Sequence, residues 1–465
     1  MFNLIRSGVA LVLALSLSGC VLNQDPVASA DLNLNNDWHA QGPLFEANHI
    51  TRDKWWQRFD EVVLNELIDQ ALESNADIQV ALANVEQARA YYGLERWSYM
   101  PQGALQLSRE RGSFSDFELE GARPYTAYRS VLSLGWEIDL FGRIRNANKI
   151  ALAELNGSAA YADAVRLLVT SEVASTYYLA RAAFDRRQIR AQALQDQREI
   201  SELTRVLVEE QRASQDELDR ALAELEDNEV ELLLEEEHAR GLELRMAALL
   251  GLQPGQWQLP DFAETDKPLN LQAIAIGDIT TMLQARPDIR RAQQALIAQQ
   301  SAVGIARANY FPTLNLAGFF GFVSGNSGEL GKSGSGSWLA GPSLVWNALD
   351  IGRTRQQVSA AHAGVDMALA HYESTVLKAI EETESALLRY ATVNVEMVHR
   401  DSQRRHARST VAAARARYEE GMGNYLDVLI ASRDSLRADI AHVNSLGSHR
   451  LATVQVFKAL GSTTL

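Results

Sequence analysis

Trp136-Glu137-Ile138-Asp139-Leu140-Phe141-Gly142-Arg143 returns as Trp346-Asn347-Ala348-Leu349-Asp350-Ile351-Gly352-Arg353. Other landmarks keep the same interval to within one residue. Tyr99-Met100-Pro101 returns as Tyr310-Phe311-Pro312, and Asp77-Ile78 as Asp288-Ile289. Ala213-Ser214 through Ala221 aligns with Gly423-Asn424 through Ala431. The interval far exceeds the roughly 20–50 residues of a solenoid repeat. It reads as an internal two-fold repeat, with halves expected over 61–270 and 271–465.

The quoted stretch lies where two periodicities meet. Before it, Tyr128, Leu132, Leu134, Trp136 and Ile138 share one parity, while Arg129, Ser133, Gly135 and Glu137 take the other. That is the period of a strand with one apolar face. Leu105 and Leu107 alternate with Gln106 and Ser108 in the same way, across a turn-rich link from Gly112 to Pro124. In the second half, Leu314, Leu316, Phe320 and Phe322 form one such face, and Trp338, Pro342, Leu344 and Trp346 another, across the Gly/Ser loop 324–337. Strands of roughly ten residues with aromatics near their ends fit a transmembrane barrel with its apolar side outward. A soluble hairpin carries the same alternation.

After the quoted stretch the pattern is helical. No proline occurs from Arg143 to Leu250 or from Arg353 to Leu460, two tracts of about 107 residues each. Val165, Leu168, Val169, Val173, Ala174 and Tyr177 keep coiled-coil spacing. Folded once in the middle, each tract predicts two helices of about 50 residues, roughly 75 Å long. Globular helices average about 11 or 12 residues, so a long bundle or tube is expected. The midpoints fall near 195–198 and 400–406. Asp196, Arg198, Arg400, Asp401, Arg404 and Arg405 are therefore candidate tip residues. Leu64, Leu67, Ile68, Ala71 and Leu72 predict one further helix from Glu61 to about Trp97. Trp55, Trp56 and Phe59 read as a packing anchor.

The N-terminus is an address. Arg6 precedes the short apolar run Val9–Leu17, followed by Leu17-Ser18-Gly19-Cys20. The run is too short for a permanent membrane helix and reads as a signal peptide over 1–19. The small residues before the cysteine form a lipobox. Cys20 is then the expected lipid attachment site, carrying N-palmitoyl and S-diacylglycerol groups. Residues 20–60 are expected to form a lipidated, extended segment. Val21, in place of Asp, favours sorting to the outer membrane. Cys20 is the only cysteine of the 465 residues, which excludes a disulfide within the chain and a cysteine metal site. The net charge of −15 argues against nucleic acid as a partner. Beyond the leader no apolar run reaches the length of a membrane helix, so any crossing falls to strands.

Counting strands bears on assembly. One chain offers four, whereas bacterial barrels begin at about eight. Open edges are forbidden in lipid. Three chains would give about twelve strands and room for a lumen.

The ordered set of motifs resembles the TolC-like outer-membrane efflux proteins, in the lipid-anchored branch serving resistance–nodulation–division pumps. The set comprises the lipobox, Trp55-Trp56 with Phe59, Tyr-x-Pro, Trp136 through Arg143, Ala285-Arg286-Pro287-Asp288-Ile289-Arg290, and Tyr425-Leu426-Asp427-Val428-Leu429. The resemblance implies a mainly α protein with a small β-barrel part. It implies a homotrimer whose 12-stranded barrel in the outer membrane, four strands per chain, continues into a long periplasmic α-helical barrel. It also implies a mixed belt near 54–62, 252–277 and the C-terminus, and partnership with a periplasmic adapter and an inner-membrane pump. The function implied is an exit duct for drugs or other small toxic compounds. A type I protein-secretion channel and a structural coiled-coil envelope lipoprotein are the alternatives.

Two departures stand out. Arg404 to Tyr418 contains no Asp or Glu, so the carboxylate ring common in the family is not transferred. Asn347 replaces the proline often found after the second Trp. Gly331-Lys332-Ser333 lacks the upstream glycine of a phosphate loop and reads as surface. His399 and His406 lie seven apart beside arginines, without the defined partners of a metal site. No catalytic constellation appears, so no enzyme and no cofactor are expected.

Overall fold

The structure is a computed structural model, describing residues 36–39, 42–46, 54–113, 115, 117, 123–260, 262, 273–420 and 422–462. Cys20 and the leader lie outside the described residues. The helices are α1 (Val62–Ser74), α2 (Ala76–Trp97), α3 (Arg143–Glu209), α4 (Gln215–Leu249), α5 (Ile279–Ala285), α6 (Pro287–Ala308), α7 (Ile351–Glu419) and α8 (Tyr425–Ala459). The strands are β1 (Phe45–Glu46), β2 (Gln102–Gly112), β3 (Tyr125–Ile138), β4 (Ile274–Ala275), β5 (Thr313–Ser324) and β6 (Gly336–Val345). Among the described residues no helix is long and apolar enough to cross a membrane. The chain divides into two compact units.

The first unit holds 84–159 and 291–374. Its centre is an antiparallel sheet in the order β2-β3-β5-β6. The register places residues of like parity on one face, because directly opposed residues share a side. Leu105 opposes Leu132, Leu132 opposes Phe320, and Phe320 opposes Trp338. Leu107, Leu134, Trp136, Leu316 and Leu344 fall on this same apolar face by parity. Gln106, Ser108, Ser133, Asn315 and Ser343 fall on the other. Trp338 remains 75% exposed and Leu107 71%, an unusual cost for large apolar groups in water. Among the described residues the outer edges of β2 and β6 have no strand partner.

The second unit holds 34–83, 160–290 and 375–465. Trp55 and Trp56 are fully buried, and Trp55 stacks on Phe457 with centroids 5.5 Å apart. That agrees with a packing anchor. Small side chains bring the long helices together. Ala180 and Ala183 of α3 pack on Ala239 and Leu242 of α4, while Ala414 of α7 packs on Val428 and Ala431 of α8. Pro287 opens α6, where its missing N–H is tolerated. The Arg286 guanidinium beside it donates to the Ala459 carbonyl at 2.7 Å, to Asp288 at 2.7 Å and to Glu382 at 2.7 Å. Burial opposes this charge, yet the bonds and charges of Asp288 and Glu382 outweigh it and raise the Arg286 pKa. The Ala285–Arg290 motif is thus a structural clamp.

Two expectations are corrected. The helix foreseen from Glu61 to Trp97 is two helices, broken at Asn75, whose backbone is extended. Its Oδ1 accepts from the amides of Asp77 and Ile78 at 2.9 and 3.2 Å, and its Nδ2 donates to the Leu249 carbonyl at 2.9 Å. A buried side chain that caps one helix and ties a distant one outweighs continuous helical propensity. The long tracts also do not fold at their middles. α3 has 67 residues and α4 has 35; α7 has 69 and α8 has 35. The reversals lie between Glu209 and Gln215 and between the end of α7 at Glu419 and the start of α8 at Tyr425.

Candidate functional site: strand–helix junctions and hairpin ends

The two copies of the quoted motif form a pair of junctions in the first unit. Trp136 Nε1 donates to the Tyr99 carbonyl at 2.9 Å, and Trp346 Nε1 donates to the Tyr310 carbonyl at 3.0 Å. This explains why Tyr-x-Pro and Trp recur together. The tryptophan ring closes the strand end, and the Tyr carbonyl satisfies its N–H. Phe141 and Phe311 stack with centroids 4.6 Å apart. The junctions then diverge. Glu137 binds Arg143, and the Asp139 carboxylate accepts from the amides of Ile144 and Arg145 at the start of α3. Gly142 turns with φ +81°. In the second copy Asn347 stands for Glu137, and Gly352 lies inside α7. A cavity of about 360 Å³ between the junctions is lined by Glu137, Arg143, Asn309, Asp350 and Arg353, among others.

The hairpin ends lie in the second unit. Ser214 caps α4 with a reciprocal capping box to Glu217, and Asn424 caps α8 by accepting from the Asp427 amide at 2.9 Å. These caps, not the tract midpoints, set the reversals, because each satisfies orphan amides where a helix begins. The candidate tip residues therefore sit within helices, before the turns, and they do not form one cluster. Asp196 on α3 accepts from Arg415 on α7 at 3.1 Å. Arg198 donates to Glu229 on α4 at 2.9 Å. Arg400 lies 3.6 Å from Glu396, and Asp401 lies 3.4 and 3.2 Å from Arg404 and Arg405, all along α7 itself.

Residues that sequence reasoning missed complete the arrangement. Arg408 of α7 meets Asp439 of α8 at 2.8 Å, and Arg433 of α8 meets Glu224 of α4 at 3.0 Å. The basic run Arg404–Tyr418 thus draws carboxylates from other helices as well as from its own Asp401. Two of these pairs, Asp196–Arg415 and Glu224–Arg433, join one helical hairpin to the other. They line a crevice of about 240 Å³ with Asn228, Arg408 and Asp439. Inside α8, His442 sits near Arg404, Asp401, Asp439 and Arg408. Burial first, then the Arg404 charge, lowers its pKa. His399 and His406 are exposed, and among the described residues no group of three metal-ligating side chains occurs. The arrangement holds helices together through charge pairs.

A family model for outer membrane efflux proteins matches residues 67–252 and 279–462. The chain belongs to the outer membrane efflux protein family. Its relatives include outer membrane protein OprJ of Pseudomonas aeruginosa, 29% identical over 97% of this chain and 95% of that one. The toluene efflux pump outer membrane protein TtgF of Pseudomonas putida is 27% identical over 97% of this chain and 96% of its own length. The solved structure of the outer-membrane channel OprN matches with a TM-score of 0.86 at 30% identity, covering 92% of this chain and 96% of that one. Family membership makes the chain an outer-membrane efflux channel protein and not an enzyme. Within the family's frame the Trp-to-Gly-Arg element is a junction between strand and helix, and the charged crevice is the feature that this chain's own residues build.

Proposed function

We propose that three copies close a 12-stranded barrel in the outer membrane, and that the long helices extend this barrel as a periplasmic duct. The observation carrying this reading is the four-stranded sheet with one apolar face, large exposed aromatics and two open edges. Lipid tolerates neither open edges nor an incomplete barrel. The duplicated halves, 61–270 and 271–465, supply similar staves around one axis. Cys20 anchors the chain by its lipid. A periplasmic adapter and an inner-membrane pump supply energy and selection, and the duct passes drugs or other small toxic compounds outward. Relatives named for efflux, TtgF among them, support that substrate class.

Opening requires the helical hairpins to separate. Asp196–Arg415 and Glu224–Arg433 then act as latches between hairpins. The exposed Asp196–Arg415 pair holds only about 0–1 kcal/mol, small enough to be exchanged for contacts with an adapter, whereas Glu224 is half-buried beneath the exposed Arg433. A strain lacking the gene is expected to become sensitive to drugs or solvents, and the wild-type gene to restore resistance. Unchanged susceptibility combined with loss of a secreted protein would overturn the reading in favour of protein secretion. Cysteines replacing Asp196 and Arg415, joined by a cleavable bifunctional thiol reagent, should abolish export, and cleavage of the link should restore it.

A further inference from the structure

The pleat sorts the charged residues of the larger sheet unequally. Glu110, Arg129 and Glu137 have the parity of the polar face. There Arg129 pairs with Glu110 at 3.4 Å, and Arg143 reaches Glu137. Arg109 and Arg111 have the parity of Leu105 and Leu107, so they lie on the apolar face. β5 and β6 contain no charged residue. The apolar face of the sheet therefore carries Arg109 and Arg111 and no carboxylate. Both arginines are exposed. Arg109 lies over the Tyr128 ring, 5.7 Å from its centroid. Among the described residues no ion pair reaches either guanidinium, since the sheet's carboxylates are engaged on the other face.

Their height on the sheet is specific. β2 begins at Gln102, beside the Tyr99–Trp136 junction, and ends at Gly112. Gly103 to Arg111 spans about 26 Å along the strand, at roughly 3.3 Å per residue. At a barrel tilt of roughly 35–45° this is about 20 Å along the membrane normal, and apolar bands stand about 25 Å tall. The arginines thus fall at the rim of the band farthest from the helices, at headgroup level, where a lipid-facing charge is tolerated. The repeat supplies a contrast. Counted from Pro101 and Pro312, Arg109 aligns with Phe320 and Arg111 with Phe322. The second hairpin forms the same strand with aromatics at these places, so the fold itself does not require arginine there.

We infer that Arg109 and Arg111 bind a lipid of the outer leaflet through a phosphate monoester on its headgroup. This rests on the outer-membrane barrel proposed above. Two guanidinium forks on successive outward positions match the oxygens of phosphate, with paired, charge-assisted hydrogen bonds. Like charges this close call for a counter-charge, and the face they occupy supplies none. Tyr128 steadies Arg109 from the side by its ring. Below the arginines, Leu105, Leu107 and Leu132 offer an apolar surface to the acyl chains. Charge above and apolar surface beneath fit one amphipathic molecule. Free phosphate would use only the forks and leave the leucines bare.

Native mass spectrometry of the full-length protein in neutral detergent tests this. Diphosphorylated lipid A is the probe, with phosphatidylcholine and inorganic phosphate for comparison. The wild type is expected to bind lipid A, and Arg109→Gln combined with Arg111→Gln to weaken binding about tenfold or more. Arg109→Phe combined with Arg111→Phe, which copies the second hairpin, should lose the lipid to the same extent while keeping wild-type heat-modifiability. Arg129→Gln, on the polar face, should bind as the wild type does. Equal lipid A binding by the wild type and the double glutamine variant overturns the inference. So does an equal loss in Arg129→Gln, or phosphatidylcholine binding as tightly as lipid A. Displacement of lipid A by an equal concentration of inorganic phosphate assigns the arginines to free phosphate and overturns the lipid as occupant. Each of these results, obtained on trimeric protein, leaves the barrel reading intact. Wild-type protein that stays monomeric and fails to insert into membranes overturns the barrel reading itself.

Discussion

Two glycines at matching places in the repeat should respond differently to the same change. Gly142 sits at φ +81°, where a Cβ costs about 1–2 kcal/mol. Gly352 lies in the first turn of α7, and a Cβ there meets nothing within 4 Å. Gly142→Ala is expected to lower the unfolding midpoint, and Gly352→Ala to leave it unchanged or raise it slightly; parallel urea titrations check the contrast. His449 offers a pH-dependent test. It is only 4% exposed, neither ring nitrogen has a hydrogen-bond partner among the described residues, and burial followed by the Arg450 charge lowers its pKa to about 4. The unfolded chain takes up this proton near pH 6.5, while the folded chain resists until about pH 4. Stability is therefore full above about 6.5 and falls as pH drops towards 4, by about 3 kcal/mol at most. His442 acts in the same direction. His449→Leu should flatten this slope, measured as urea midpoints between pH 7 and 4; an unchanged slope would reject the assignment. Neither the positive φ at Gly142 nor the orphaned ring of His449 is visible in sequence, because each depends on what surrounds the residue.

At the scale of elements, the strands were legible and the helix ends were not. Alternation located all four strands of the larger sheet because parity is a local property. Equal division of the proline-free tracts misplaced the reversals, because helices stop where capping and packing favour it. The signal was present: Ala213-Ser214 and Gly423-Asn424 align in the repeat, each with a strong N-cap residue before an acidic third position. Ser214→Ala is expected to cost about 1 kcal/mol and to fray the start of α4, a loss that amide hydrogen exchange over 215–220 would detect. The crevice pairs separate stability from function. Arg415→Ala combined with Glu224→Gln leaves only the more exposed Asp196 and Arg433 unpaired; it should change the unfolding midpoint little, yet raise single-channel conductance in planar bilayers. Conductance equal to wild type would remove these pairs from gating.

The proposed barrel is tested on the apolar face of the sheet. An Arg on a lipid-facing position near the middle of a barrel costs about 2–4 kcal/mol. Leu132→Arg, on the apolar face, is expected to reduce membrane-inserted, heat-modifiable protein sharply. Ser133→Arg, its neighbour on the opposite face, should insert normally and change conductance instead. Equal insertion of both variants would argue against the barrel. The sequence by itself determined the junction motif, the parity of the strands and the proline-free helices, since each follows from residues close together in the chain. Only the tertiary structure decided that Asp196 meets Arg415, that Arg433 meets Glu224, and that Arg286 clamps Ala459. Those partners lie far apart in sequence. Their meeting depends on the register in which long helices pack, and that register is the joint result of many small side-chain contacts.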